Sequence, residues 1–211
     1  MTAAATPRAK YVLWTLMAAA ALSVLFYSEV PIFQKAQERE QLYHFRWTLY
    51  PHIATATLAF LTGPWQFSTR LRRRNPRVHR ILGRVYAACV FIAAPTAFIS
   101  TLLTHYPNAI YFETGIAVQA SAWVLTTALA ITFAIRRRLS THRTWAIRSY
   151  AVTFTFVLTR VLQPIPAWNR LGRFWFAVAT IVITLLAALS PELSRLLTAP
   201  FRRSSSIAVT S

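Results

Sequence analysis

The chain has 211 residues, of which 55% are hydrophobic and only 13% charged, and its mean hydropathy is +0.41. Water-soluble domains carry about 25% charged residues, so this composition excludes an ordinary soluble domain. The 23 Lys and Arg against 5 acids, all glutamate, give a net charge of +18. That excess would suit nucleic acid if the arginines lined one solvated face. They fall instead between apolar runs, where they act as topology signals and headgroup contacts, and no nucleic-acid partner is expected.

An apolar run of about 20 residues is long enough to cross a bilayer as a helix. The first run, Tyr11–Tyr27, follows Arg8 and Lys10. It reads as a retained helix rather than a signal peptide, because Ser28-Glu29-Val30 makes a poor cleavage site. The second run is Trp47–Phe67, the third Val85–Thr104 and the fourth Thr114–Ile135. The fifth is Ala146–Leu162, and the sixth, Phe174–Leu189, is short and ends before Ser190-Pro191. The longest connections are Glu29–Arg46 and Ser68–Arg84. The tail Phe201–Ser211 reads as disordered.

Positive charge sets the orientation. Sixteen basic residues flank one set of segment ends and five the other, with Arg148 and Arg160 inside the fifth segment. The expected fold is therefore an all-α polytopic membrane protein, one domain over residues 1–200 with six transmembrane helices and both termini cytoplasmic. Its setting would be a bacterial inner membrane. Two similar hairpins, about 47–104 and 114–162, would form a four-helix core flanked by the first and sixth helices. The lone Cys89 lies mid-segment and offers no disulfide or metal cluster within one chain.

The hairpins share a signature. Arg72-Arg73-Arg74 precedes His79-Arg80, Gly83-Arg84 and Tyr86, and Arg136-Arg137-Arg138 precedes His142-Arg143, Trp145, Arg148 and Tyr150. Helical spacing groups polar residues on one face of each core helix. The second segment aligns His52, Ala56, Ala59, Gly63 and Gln66, the third His79, Gly83, Tyr86, Ala93, Ala97, Ser100 and Thr104, and the fifth His142, Ser149, Thr153, Phe156, Arg160 and Gln163. Small residues suit close helix packing in lipid. Packing does not account for His52 or Arg160, because ionisable groups inside a membrane are costly.

Two sites follow. At the inner side, His79 and His142 would ligate a b-type haem from both faces of the iron. Arg80, Arg84, Arg143 and Arg148 would pair with its propionates, and Gly83 and Ser149 would leave room for the macrocycle. Toward the outer side, His52, Gln119 and Arg160 form a second polar group. An alternative stands beside haem: His-Arg pairs at a membrane surface bind anionic lipid headgroups or a small anion. A third is a structural or assembly protein whose polar residues only specify packing. No carboxylate lies inside a segment, which counts against a proton-driven pump. With four glycines in the chain, a phosphate-cradling glycine-rich loop is also unavailable.

The chain resembles a family of bacterial predicted membrane proteins, the domain of unknown function 2306 group. The resemblance is carried by His52, Gly63-Pro64-x-Gln66-Phe67, Arg70, Arg72, His79-Arg80-x-x-Gly83-Arg84-x-Tyr86, His142-Arg143-x-Trp145-x-x-Arg148-Ser149-Tyr150 and Arg160. It implies a multispanning bundle and no particular reaction. At the level of topology the chain is also similar to cytochrome b561-type six-helix membrane cytochromes, whose histidines sit on helices two to five. That likeness implies an inner haem on His79 and His142. It departs at the fourth segment, where Gln119 rather than a histidine faces His52, and His105 near a connection is a poor substitute. The expected function is electron transfer through haem b to or from a quinone or similar partner.

Overall fold

The computed structural model describes residues 7–24, 26–27, 45–103, 109–162, 165–166, 170 and 172–194, and among them all regular structure is helical. The helices are α1 (Pro7–Val24), α2 (Arg46–Gln66), α3 (Thr69–Arg74), α4 (Pro76–Leu103), α5 (Ala109–Ile135), α6 (Leu139–Leu162) and α7 (Gly172–Ala188). Each of the six apolar runs overlaps a helix, and α4 and α6 begin before their runs, at Pro76 and Leu139. Of these, α4 and the stretch Ile110–Ile135 of α5 are long and apolar enough to cross a membrane by length and composition. Most of the connection 29–46, His105 and the tail 201–211 lie outside the described residues.

The supposed long loop Ser68–Arg84 is a correction. It folds as α3 and the first turns of α4, separated only by Asn75. Local chemistry explains this. The Ser68 hydroxyl accepts the Leu71 amide at 3.2 Å and caps α3. Pro76 stands at the first position of α4, where its missing N–H costs no hydrogen bond. The second connection is likewise short, a turn at 136–138 with Arg137 at φ 57°. His79 and His142 therefore sit on helices, each three residues past its helix's first residue.

α2 and α4 run antiparallel. Thr48 meets Ser100, His52 meets Ala93, and Gln66 lies against Gly83. α5 and α6 do the same, with Gln119 against Thr155, Thr127 against Ser149 and Ala130 against His142. α4 packs on α5 as well, while α7 lies against α5 and α6 and α1 against α6. The core between the hairpins holds Ala59, Tyr86, Cys89, Val90, Ala93, Trp123, Tyr150 and Val152.

Threonine is prominent in this interior because its hydroxyl can be satisfied within its own helix. Thr62, Thr126, Thr127 and Thr180 all donate to the carbonyl four residues back. A small, self-satisfied side chain lets helices approach closely in apolar surroundings without an orphaned hydroxyl.

Candidate functional site

The spaced motifs converge at the arginine-rich end of the bundle, and they interlock. Pro64, inside α2, has no N–H for the Phe60 carbonyl four residues back. The Tyr150 hydroxyl donates to that carbonyl at 3.3 Å. Gly63 makes the approach possible, since a Cβ there would collide with the Tyr150 ring. Phe67 closes the slot, its ring centroid 5.7 Å from that of Tyr150. The Gly63-Pro64-x-Gln66-Phe67 motif is thus a socket for Tyr150 of the second hairpin.

A buried polar hub lies beside it. Tyr86 Oη is 2.7 Å from Ser149 Oγ and 2.8 Å from Thr153 Oγ1, and the Trp123 indole N–H donates to it at 3.3 Å. Ser149 Oγ is also 2.7 Å from Thr127 Oγ1. Five side chains from α4, α5 and α6 satisfy one another. Tyr86 lay on the polar stripe of its helix, but its role as a hub was not legible there.

The hub fixes the relation of the two histidines. Tyr86 and Ser149 each stand ten residues into their helices. His79 and His142 each stand seven residues before them. Seven residues return a helix to almost the same face, about 10 Å along the axis. His79 and His142 therefore lie two turns below the hub on corresponding faces of α4 and α6, close enough for a charge on His142 to act on His79. Arg72 and Arg80 also act on the His79 ring.

The two imidazoles differ in their partners. His142 Nδ1 lies 2.8 Å from the Ala130 carbonyl. A carbonyl only accepts, so Nδ1 carries a proton, and in the neutral ring Nε2 keeps its lone pair. The Nδ1 atom of His79 is buried without a hydrogen-bond partner, as is Nε2 of Gln66. Among the described residues, no three His, Cys, Asp or Glu side chains gather as a metal-binding group.

Several residues assigned to the macrocycle's surroundings are engaged otherwise. Gly83 faces the Gln66 carboxamide, whose Oε1 would lie 3.2 Å from a Cβ there. Ser149 is only 1% exposed and belongs to the hub. The Arg148 guanidinium pairs with Glu192 and lies 4.2 Å over the Trp145 ring. Arg80, Arg84 and Arg143 are exposed.

The second polar group is brought together only in part. His52 Nδ1 donates to the Ala93 carbonyl at 2.8 Å, and the charge of Arg160 reaches its ring. Gln119 is fully buried and donates through Nε2 to Thr155 Oγ1 at 2.7 Å.

A family model described as "Predicted membrane protein (DUF2306)" matches residues 49–194. The chain belongs to this family of membrane proteins. No curated protein and no solved structure matches it.

Proposed function

We propose that this is a multispanning membrane haem protein that holds one b-type haem between His79 and His142 and passes electrons to a quinone or similar partner. The observation that carries this reading is the pair itself. Two imidazoles occupy matched positions on parallel helices two turns below one hub, and the hydrogen bond to Ala130 puts the proton of a neutral His142 on Nδ1 and leaves its Nε2 to ligate. A metal-bound histidine ordinarily donates its other ring nitrogen to a carbonyl, carboxylate or water, and His142 already does so.

The bound group would supply one-electron exchange at iron. The protein's own residues do the rest. The Ala130 carbonyl orients His142, and the hub of Tyr86, Ser149, Thr153, Thr127 and Trp123 sets the register of α4 against α6. Exposed Arg80, Arg84 and Arg143 are the cations left to meet propionates, since Arg148 is held by Glu192. Gly83 and Ser149 serve packing rather than the cofactor. His52 and Arg160 would lie toward the far side, where a second redox partner could dock.

In this reading the six apolar helices span the bacterial inner membrane, with both termini and the arginine-rich end in the cytoplasm. Ten arginines exposed at that end support the placement: Arg70, Arg73, Arg74, Arg77, Arg80, Arg84, Arg136, Arg137, Arg138 and Arg143. The same ten favour a second reading, an anionic-lipid or small-anion binding module. Visible spectroscopy of purified protein separates the two. The haem reading requires a Soret band lost in both His79→Ala and His142→Ala; the anion reading leaves the protein colourless.

A further inference from the structure

The two arginine-rich turns look alike in sequence but not in their hydrogen bonding. In the second, His142 Nδ1 is satisfied by Ala130 and Arg148 by Glu192. In the first, around Gly83, two buried nitrogens have no partner: Nε2 of Gln66 at the end of α2 and Nδ1 of His79 on α4. His79 and Gly83 are one turn apart on one face, and the Gln66 amide lies against Gly83. The charges of half-buried Arg72 on α3 and of Arg80 act on the same imidazole. No carboxylate occurs anywhere in the sequence between Arg46 and Phe112 to balance them.

A buried polar atom without a partner is costly, and here an amide donor and an imidazole nitrogen that can carry a proton are left so, with two guanidinium charges acting on the imidazole. From this juxtaposition we infer that the corner formed by Gln66, Arg72, His79 and Arg80 is an oxyanion-binding site that takes a phosphate group. Arg72 and Arg80 would supply charge-assisted donors, and the Gln66 amide and the His79 N–H would supply direction. Gly83 keeps a side chain out of the space that the amide occupies. The phosphate belongs either to an anionic lipid headgroup or to free phosphate. The site shares two residues with the haem reading: it uses Nδ1 of His79 and leaves Nε2 for the iron, and with Arg80 on the phosphate the exposed Arg84 and Arg143 remain for the propionates.

The test is lipid retention by the full-length protein, counted by native mass spectrometry from micelles holding equal phosphatidylglycerol and phosphatidylcholine. The wild type is expected to prefer phosphatidylglycerol by about tenfold, the worth of one good charge-assisted hydrogen bond. Gln66→Leu and Arg72→Gln should each lose most of that preference. Gly83→Ala, whose Cβ must push the Gln66 amide aside, gives a third and milder probe. Arg138→Gln, exposed in the other turn, should keep the preference. Displacement of the lipid by excess inorganic phosphate would identify free phosphate as the ligand, and resistance to it the headgroup. A wild type without preference, or equal losses in Arg138→Gln and Arg72→Gln, would overturn the site in favour of diffuse charge.

Discussion

Tyr86 and Ser149 meet hydroxyl to hydroxyl at 2.7 Å, each ten residues into its helix. This one contact ties the register of the two hairpins, because it leaves His79 and His142 at matched positions two turns below. The phenol also accepts from Trp123 and bonds Thr153, so its loss strands the buried Trp123 N–H, while Ser149 keeps Thr127 and Thr153 keeps the Ser149 carbonyl.

Tyr86→Phe is therefore expected to destabilise the protein by about 1–2 kcal/mol, the cost of a stranded buried donor tempered by the weaker net worth of hydrogen bonds in membrane interiors. Thermal unfolding in detergent checks the size. Ser149→Ala should cost less, since the phenol keeps Thr153 and Trp123.

Gly63 and Tyr150 make the second prediction. A methyl group at Gly63 collides with the Tyr150 ring, so Gly63→Ala should cost about 1–3 kcal/mol by overpacking. Trimming the ring in Gly63→Ala/Tyr150→Leu should recover part of that loss. A double-mutant cycle showing simple additivity would contradict the socket.

The Arg148–Glu192 pair is the third. Its side chains are 18% and 39% exposed, so solvent screens it and Glu192→Gln should cost less than about 1 kcal/mol. In the haem reading, neither Glu192→Gln nor Arg148→Gln should shift the haem's reduction potential. Arg80→Gln and Arg143→Gln should lower it, because each removes an exposed positive charge that favours the reduced state. Redox titration of the four variants decides between the two sets.

His52 supplies the fourth. Its ring is held by the Ala93 carbonyl on α4, within reach of Arg160. His52→Ala should leave any Soret band of the His79–His142 pair unchanged, while His142→Ala abolishes it. Loss of the band in His52→Ala would mean that the haem is held elsewhere.

Much of this arrangement was legible in the sequence. The apolar runs gave each core helix, and helical spacing put His52, Tyr86, Ser149 and Thr153 on buried or half-buried faces. What spacing cannot supply is the azimuth of one helix against another. Gln119 has the depth expected of a partner for His52, yet its amide is committed to Thr155 on α6. Arg148 sits beside His142 in sequence and pairs with Glu192, 44 residues away. The stretch Ser68–Arg84 looked like a loop because it is polar; its Ser68 cap and Pro76 start were the signals for α3 and α4. Gln66 was visible on the His52 face, but its seat against Gly83 depends on the antiparallel packing of α2 and α4.

The most direct measurement is the visible absorption spectrum of the detergent-purified protein, expressed with ample haem, before and after dithionite reduction. The proposed function predicts a Soret band with α and β bands that sharpen on reduction, absent from both His79→Ala and His142→Ala although each variant still folds. A colourless wild-type protein, or a band that survives both substitutions, would contradict it.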